Sequence, residues 1–291
     1  NSNRADGAAE PGLVELVKQI PTKVKLTLLD KVIYPELGLT KAALIAYWAS
    51  MSERILPFIA ERPLALLRCP AGRSQCFFQK HATSQVPEQV GRVELEEKDG
   101  TLVTHLKVVD AQSLIALAQM GVLELHTWGC HADDVEHPDE LVMDLDPDEG
   151  LPWAHTTHTT RAALELRDRL HAMKLESLVK TTGGKGLHVV VPFKRGIAWD
   201  AFKAFAKQLA EAMEKDAPDR FTSNMSKAQR KGKIFVDYLR NGRGATAIAA
   251  YSVRAREGAT VACPVAWDAL EGLDPKSLTV LTVPSRQDTP W

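Results

Sequence analysis

Two strand pairs in this chain are joined by turns too short for anything but an antiparallel return. Around Lys98-Asp99-Gly100 the runs Val93 to Glu97 and Leu102 to Val109 read as the arms of a hairpin. In LVKTTGGKGLHVVVP a strand from Ser177 to Lys180, a polar glycine turn and a strand from Leu187 to Val191 follow one another until Pro192 ends the run. A parallel crossover needs a dozen or more residues, and neither turn has them. With helical segments between the hairpins, the pattern predicts an α+β fold rather than a doubly wound parallel sheet.

The helices are read from apolar spacing. Thr40 is placed as the N-cap of a helix from Lys41 to Ile59 whose inward stripe includes Trp48, and further helices are expected over Ala111 to Met120, roughly Trp153 to Lys174, and Trp199 to Lys215. Shorter β-rich runs are Val24 to Leu29, Leu64 to Leu67, Cys76 to His81, Val122 to Leu125, Lys233 to Leu239 and Gly244 to Tyr251. Neighbouring residues on a strand face opposite ways, so one of Phe77 and Phe78 is expected in the core and the other open to stacking, with Lys80 on the same face as Phe78. Residues 1–12, polar and rich in Ala and Gly, read as a flexible arm or linker ahead of one domain over 13–291.

Composition narrows the function classes. The chain is 45% hydrophobic and 25% charged, as for an ordinary globular protein, and no apolar run approaches the roughly 20 residues that span a bilayer. Cys69, Cys76, Cys130 and Cys263 form no C-x-x-C pair. They predict neither a zinc ribbon nor a disulfide framework, and a reducing, cytoplasmic setting is expected. A net charge of −1 conceals a polar division: His131 to Gly150 holds nine Asp/Glu and no Lys/Arg, whereas Asn224 to Glu257 carries Lys227, Arg230, Lys231, Lys233, Arg240, Arg243, Arg254 and Arg256 against Asp237 and Glu257. An acidic pole for cations beside a basic pole for phosphates is what phosphoryl transfer on a polyanion requires.

The acidic pole contains LVMDLDPDEG. On a strand Asp144 and Asp146 project from one face and Leu145 from the other. Like charges that close resist joint ionisation unless a cation or proton lies between them, and carboxylate oxygens suit Mg²⁺ or Mn²⁺. A solvated strand end is the alternative reading of the same residues. Asp237, after the apolar Ile234-Phe235-Val236, is expected to join the pair, while Asp148 and Glu149, past Pro147, read as surface charges. In the glycine turn, Thr182, Lys185 and His188 supply donors suited to phosphate oxygens, although a plain glycine hairpin with a solvated lysine would look alike. A strand follows the turn, so it is not a Walker loop. His126 and Trp128 end another strand, and His155 and His158 form an i, i+3 pair that lacks a carboxylate partner.

In order, Asp30-Lys31-Val32 with Tyr34-Pro35, Arg62-Pro63, Cys76-Phe77-Phe78-Gln79-Lys80-His81, Glu124-Leu125-His126-Thr127-Trp128, Met143-Asp144-Leu145-Asp146-Pro147, Gly183 to His188, Val236-Asp237-Tyr238-Leu239-Arg240-Asn241 and Tyr251-Ser252 resemble the polymerase domain of bacterial ATP-dependent DNA ligase D, of the archaeo-eukaryotic primase superfamily. The resemblance covers nearly the whole chain. It implies a primase-like catalytic core in which an RRM-like, mostly antiparallel sheet packs against a second α/β module, with the active site between them. It further implies a template-directed nucleotidyltransferase that extends 3′ ends at gaps and double-strand breaks in non-homologous end joining, with NTPs preferred to dNTPs.

By this resemblance Asp144, Asp146 and Asp237 hold two divalent ions, Mn²⁺ or Mg²⁺. His126, Thr182, Lys185, His188, Arg240, Ser252 and Arg254 receive the nucleotide. Phe77 and Phe78 lie near the templating base, to which the strand face shared with Phe78 adds Lys80 as a phosphate contact, and Lys227 and Arg230 meet template or overhang. Lys31, with Lys23 or Lys25, takes a downstream 5′-phosphate. The partners it implies are DNA with gaps, 5′-phosphates or 3′ overhangs, ligase and end-processing nuclease domains of the same polypeptide, and a Ku-type end-binding protein. The setting it implies is the nucleoid in the bacterial cytoplasm, with no membrane. Two rival readings of the residues are a non-catalytic module that binds DNA ends and a D-x-D phosphohydrolase, whose usual Thr or Val is here Asp148.

Overall fold

Regular backbone begins earlier than the polar N-terminal composition suggests. Pro11–Lys18 forms helix α1, its first residue a proline, whose missing N–H is not needed at that position. The computed structural model describes residues 11–151 and 157–291. The remainder of the expected arm, residues 1–10, lies outside the described residues, as do Trp153 and His155. The chain divides into two compact units: residues up to His126 with Tyr251–Val261 and Ser277–Arg286, and Thr127–Ala250 with Ala262–Lys276 and Gln287–Trp291.

In the first unit, Val24 to Leu29 runs without regular pairing, contrary to its β-rich composition. The strands fall later, at β1 (Val32–Tyr34) and β2 (Leu39–Thr40), which pair antiparallel. Thr40 caps helix α2 (Lys41–Ser50), its side chain accepting from Ala43 N, as a β-branched hydroxyl at an N-cap should. The expected single helix to Ile59 is two, because it breaks at Met51 before α3 (Ser52–Ile59). Trp48 is buried as read.

Strands β3 (Leu64–Arg68) and β4 (Phe77–Gln79) pair antiparallel with Arg68 opposite Phe77. One step along that register sets Cys69 opposite Cys76, with Cα atoms 4.2 Å apart, and they form a disulfide. This corrects the expectation of none: the hairpin, not the sequence spacing, brings the two thiols together. The hairpin of β5 (Gly91–Glu96) and β6 (Leu102–Lys107) is present as predicted. Helix α4 (Ala111–Gln119) packs on α2 and α3, and β7 (Val122–Trp128) lies beside β3.

The second unit is built on a six-stranded sheet. Its strands are β8 (Glu140–Pro147), β9 (Leu178–Thr181), β10 (Leu187–Pro192), β11 (Phe221–Thr222), β12 (Ile234–Asp237) and a last short strand at Pro264–Val265. The spatial order is β11, β12, β8, β10, β9 and that last strand. All neighbours are antiparallel except β11 with β12. Helices α5 (Thr157–Ala172) and α6 (Trp199–Asp216) pack on this sheet. The mixed architecture with antiparallel sheets is the α+β class that the short turns require. Among the described residues no helix is long and apolar enough to cross a membrane.

Candidate active site

Strand β8 enters the sheet with alternate side chains on opposite faces. Leu141, Met143 and Leu145 are fully buried on one face, and Val142, Asp144 and Asp146 share the other. Register then decides what Asp144 meets. On β12 its opposite residue is Asp237, on β10 it is His188, and His188 is in turn opposite Lys180 on β9. Directly opposed residues project from the same face. Four strands, two of them the arms of one hairpin, thus contribute one row, Lys180, His188, Asp144, Asp237, and all four residues are buried. Asp146 lies one step along β8 on the same face and is exposed. The next step the other way is apolar: Val142 and Val190 cluster with Ala247, Leu178 and Trp291, a dry wall that strengthens the electrostatics of the row.

Lysine has donors and no acceptor. Lys180 Nζ lies 2.8 Å from His188 Nδ1 and donates to Ile248 O at 2.7 Å, so Nδ1 must accept. The imidazole is therefore neutral, with its proton on Nε2, 3.4 Å from Asp144 Oδ1. Burial and the Lys180 charge push His188 down to about 4. Burial alone would raise Asp144, but His188, Arg240 and Lys180 more than offset it and hold the carboxyl at about 2. Asp146 and Asp237 go the other way, raised by desolvation, which for Asp146 is only partial since one side of it stays open to solvent, and by the negative charge of Asp144.

The cations nearby sit on these carboxylates. Arg240 bridges Asp144 (3.3 Å) and Asp237 (3.5 Å). Arg230 reaches Asp146 at 3.4 Å, donates to Met225 O and stacks 4.0 Å over Phe235. Asn241 stands in for a strand peptide where β12 has ended, accepting from Val142 N and donating to Val142 O, both at 2.8 Å. The glycine turn closes against the same strand: a Cβ on Gly186 would lie 2.8 Å from Leu145 O and 3.6 Å from Asp144 Oδ1, so only glycine lets the backbones approach this closely. Thr182 donates to Gly186 O, and Lys185, exposed, to Glu149 O. Asp148 is not merely a surface charge, since it accepts from Gly232 N. His158 lies at the start of α5.

The first unit carries its own polar cluster. Glu124 accepts from Arg254 Nε (2.9 Å) and Ala255 N (3.0 Å) and lies 2.8 Å from His126 Nε2. Burial would raise it, but the hydrogen bond from His126 and the Arg254 charge bring it down to about 2. Ser252 is fully buried, accepting from Leu125 N and donating to Val253 O. Phe77 and Phe78 are both exposed, correcting the expectation that one enters the core: β4 is an edge strand of three residues, and its rings meet polar side chains rather than a hydrophobic layer. Arg68 stacks on Phe77 at 5.4 Å, and Phe78 meets the His126 ring edge-on at 5.7 Å. Lys80, Lys23 and Lys25 are exposed, Lys31 donates to Pro70 O, and Lys227 opens an exposed 3₁₀ turn.

A row of Lys, His and two Asp in register beside a glycine turn is more than a D-x-D motif. The model of the LigD primase-polymerase domain matches residues 40–291. The chain belongs to the LigD primase-polymerase family. The multifunctional non-homologous end joining protein LigD of Pseudomonas aeruginosa is 38% identical over 92% of this chain, and the bifunctional protein LigD of Bacillus subtilis is 30% identical, also over 92%. The chain spans 32% and 43% of those relatives' lengths. Among solved structures, the polymerase domain of Mycobacterium tuberculosis ligase D in complex with DNA superposes with a TM-score of 0.83 at 32% identity, covering 91% of this chain and 94% of that one.

Sequence reasoning singled out Asp144, Asp146, Asp237 and His188, which share one sheet face, and did not single out Lys180, Glu124 and Asn241, which bond to His188, to Arg254 and to Val142. The sequence offered little signal for them: Glu124 stands between Leu123 and Leu125 and Lys180 between Val179 and Thr181, and strand neighbours face the opposite side, so only the cross-strand register shows what these two meet.

Proposed function

We propose that the chain is a template-directed nucleotidyltransferase that extends 3′ ends at DNA gaps and double-strand breaks in non-homologous end joining, with NTPs preferred to dNTPs. The observation that carries this reading is the cross-strand row of Lys180, His188, Asp144 and Asp237, with Asp146 one step along β8. The donor set fits divalent ions. Three carboxylates meet on one sheet face, two of them raised by desolvation and by the charge of the third, and the positive groups on them are arginines on flexible stems. Asp144, Asp146 and Asp237 would hold two hard dications, which when bound neutralise the phosphates and acidify the primer 3′-hydroxyl.

The protein's own residues do the rest. His188, locked as the Nε2–H tautomer by Lys180, orients Asp144 and offers a donor on that face. Arg240 and Arg230, displaced from the carboxylates, become available to the nucleotide sugar or phosphates and to the template. In the second unit Thr182 and Lys185 on the turn are donors suited to phosphate oxygens; in the first unit His126 and Arg254 are donors of the same kind, and Ser252 braces the strand that carries His126. Phe77 and Phe78 give the template base a π surface, and Lys80 and Lys227 meet the DNA backbone. Lys31 with Lys23 or Lys25 takes the downstream 5′-phosphate. Ligase and nuclease domains and a Ku-type protein are the partners that fit a piece spanning about a third of its P. aeruginosa relative.

Primer extension on a gapped duplex, with and without the downstream 5′-phosphate and with NTP or dNTP, tests this. Extension should be fastest with NTP and the 5′-phosphate, and Asp144→Asn or Asp237→Asn should abolish it. Full extension by either variant overturns the catalytic assignment. Equal rates in all four conditions overturn the sugar preference and the phosphate anchor.

A further inference from the structure

The segment Cys76 to His81 ends in a histidine for which nucleotidyl transfer has no use. His81 pairs backbone to backbone with His105 on β6, and their rings lie 4.9 Å apart at 85°. Glu97, at the end of β5, places Oε1 2.8 Å from His105 Nε2 and 4.0 Å from His81 Nε2. One ligand atom from each of the three lies within 4.8 Å of the others, and among the described residues this is the group of three His, Cys, Asp or Glu that meets that distance. The Asp144, Asp146 and Asp237 carboxylates are more open.

We propose that His81, Glu97 and His105 form a second, non-catalytic metal site that takes a transition-metal dication of the Zn²⁺ type in preference to Mg²⁺. The ligand chemistry sets the preference. Two imidazoles and one carboxylate suit Zn²⁺, Co²⁺ or Ni²⁺, whereas Mg²⁺ requires oxygen donors. The site is half built. His105 is buried and held by the ladder on both sides of β6, by Val93 and by His81, and Glu97 is fixed on its ring. A hydrogen bond between Glu97 and His105 explains those two residues alone. His81, exposed, stands edge-on to the His105 ring with its Nε2 4.0 Å from the same oxygen, near enough for one ion to be shared by all three.

The three ligands come from three separate segments, so an ion here ties the residue that follows β4 to the β5–β6 hairpin. It would fix the strand that presents Phe77 and Phe78. Three protein ligands leave the fourth position to water on the exposed side of His81. The proposal stands independently of the polymerase reading.

The test is calorimetric titration of Zn²⁺ into the chelator-stripped 291-residue protein with excess Mg²⁺ present to occupy oxygen-ligand sites, in wild type, His81→Ala, Glu97→Gln and Asp144→Asn. Co²⁺ absorption in the visible serves as an independent signature of imidazole ligation. One equivalent of Zn²⁺ should bind to wild type and to Asp144→Asn alike and raise their melting temperatures. His81→Ala, a change at an exposed side chain, should fold normally and bind at least tenfold more weakly, without the Co²⁺ band. Absence of Zn²⁺ binding, binding unchanged in both His81→Ala and Glu97→Gln, or binding lost only in Asp144→Asn would each overturn the site.

Discussion

At the scale of single residues, the candidate site depends on a lysine that holds a histidine neutral. Burial is the larger cause of the depressed value and the Lys180 charge the second, so Lys180→Met should let the His188 imidazole rise only partway from about 4 toward its ordinary 6.5 and lose its fixed tautomer. NMR titration of the ring should show that rise, and primer extension should fall about 10- to 100-fold, as for other groups that orient a ligand from behind. The same depressed value makes stability pH-dependent. Unfolded His188 binds a proton near 6.5 and folded His188 only near 4, so between those values the unfolded chain carries the extra proton and acidification favours it. Above 6.5 both forms are neutral and the contribution is complete. Asp144, brought from 3.8 to about 2, adds its own loss only below about pH 4. Denaturant unfolding in metal-free buffer should therefore show stability falling between pH 6.5 and 4, with a shallower slope in His188→Gln. The carboxylates were legible because Asp after an apolar run is conspicuous. Lys180 and Glu124 were not, because a charged residue on a strand reads as solvent-facing until its cross-strand neighbours are known.

At the scale of elements, the turns were the most legible part and the edges the least. The short connections at Lys98 to Gly100 and Thr182 to Gly186 dictate antiparallel pairing whatever the rest of the chain does. Strand register decides what the alternation pattern leaves open: that of one hairpin accounts for the Cys69–Cys76 disulfide, and that of three strand pairs, two of them between strands far apart in the chain, for the four-residue row. Phe77 and Phe78 were misread because alternation says which side a residue faces and not whether anything packs there. The helix break at Met51 has no Pro or Gly to announce it. Gly186 gives the element-scale test. In Gly186→Ala the new methyl meets Leu145 O at 2.8 Å and must push β10 from β8, so unfolding free energy should drop by about 1–3 kcal/mol, the usual cost of overpacking. Gly12→Ala, where a Cβ meets nothing within 4 Å, should be neutral or slightly stabilising in helix α1. Thermal denaturation of the two side by side checks the contrast.

At the scale of the whole molecule, the division into two units follows no simple cut in the sequence. The first unit takes Tyr251–Val261 and Ser277–Arg286 back from beyond the second. Those segments accept a hydrogen bond from the Tyr47 hydroxyl at Tyr251 O (2.7 Å) and supply Ser252 to Leu125 N, and they bury Val253, Ala259, Val261 and Val283. Sequence reading placed one domain over 13–291 and, by resemblance, two modules within it; where the chain passes between them was not legible, because a chain that returns to an earlier unit leaves no compositional trace. A fragment ending at His126 should consequently lack a cooperative unfolding transition and give poorly dispersed amide NMR spectra, whereas the intact chain gives both. The interleaving also orders events on the ribosome. The first unit is synthesised first yet cannot close until Arg286 has emerged, and Trp291, whose indole donates to Val179 O, completes the second later still. Apolar surface laid down early thus stays open for the whole interval between His126 and Arg286, which makes the nascent chain a client for holding chaperones over that stretch of translation.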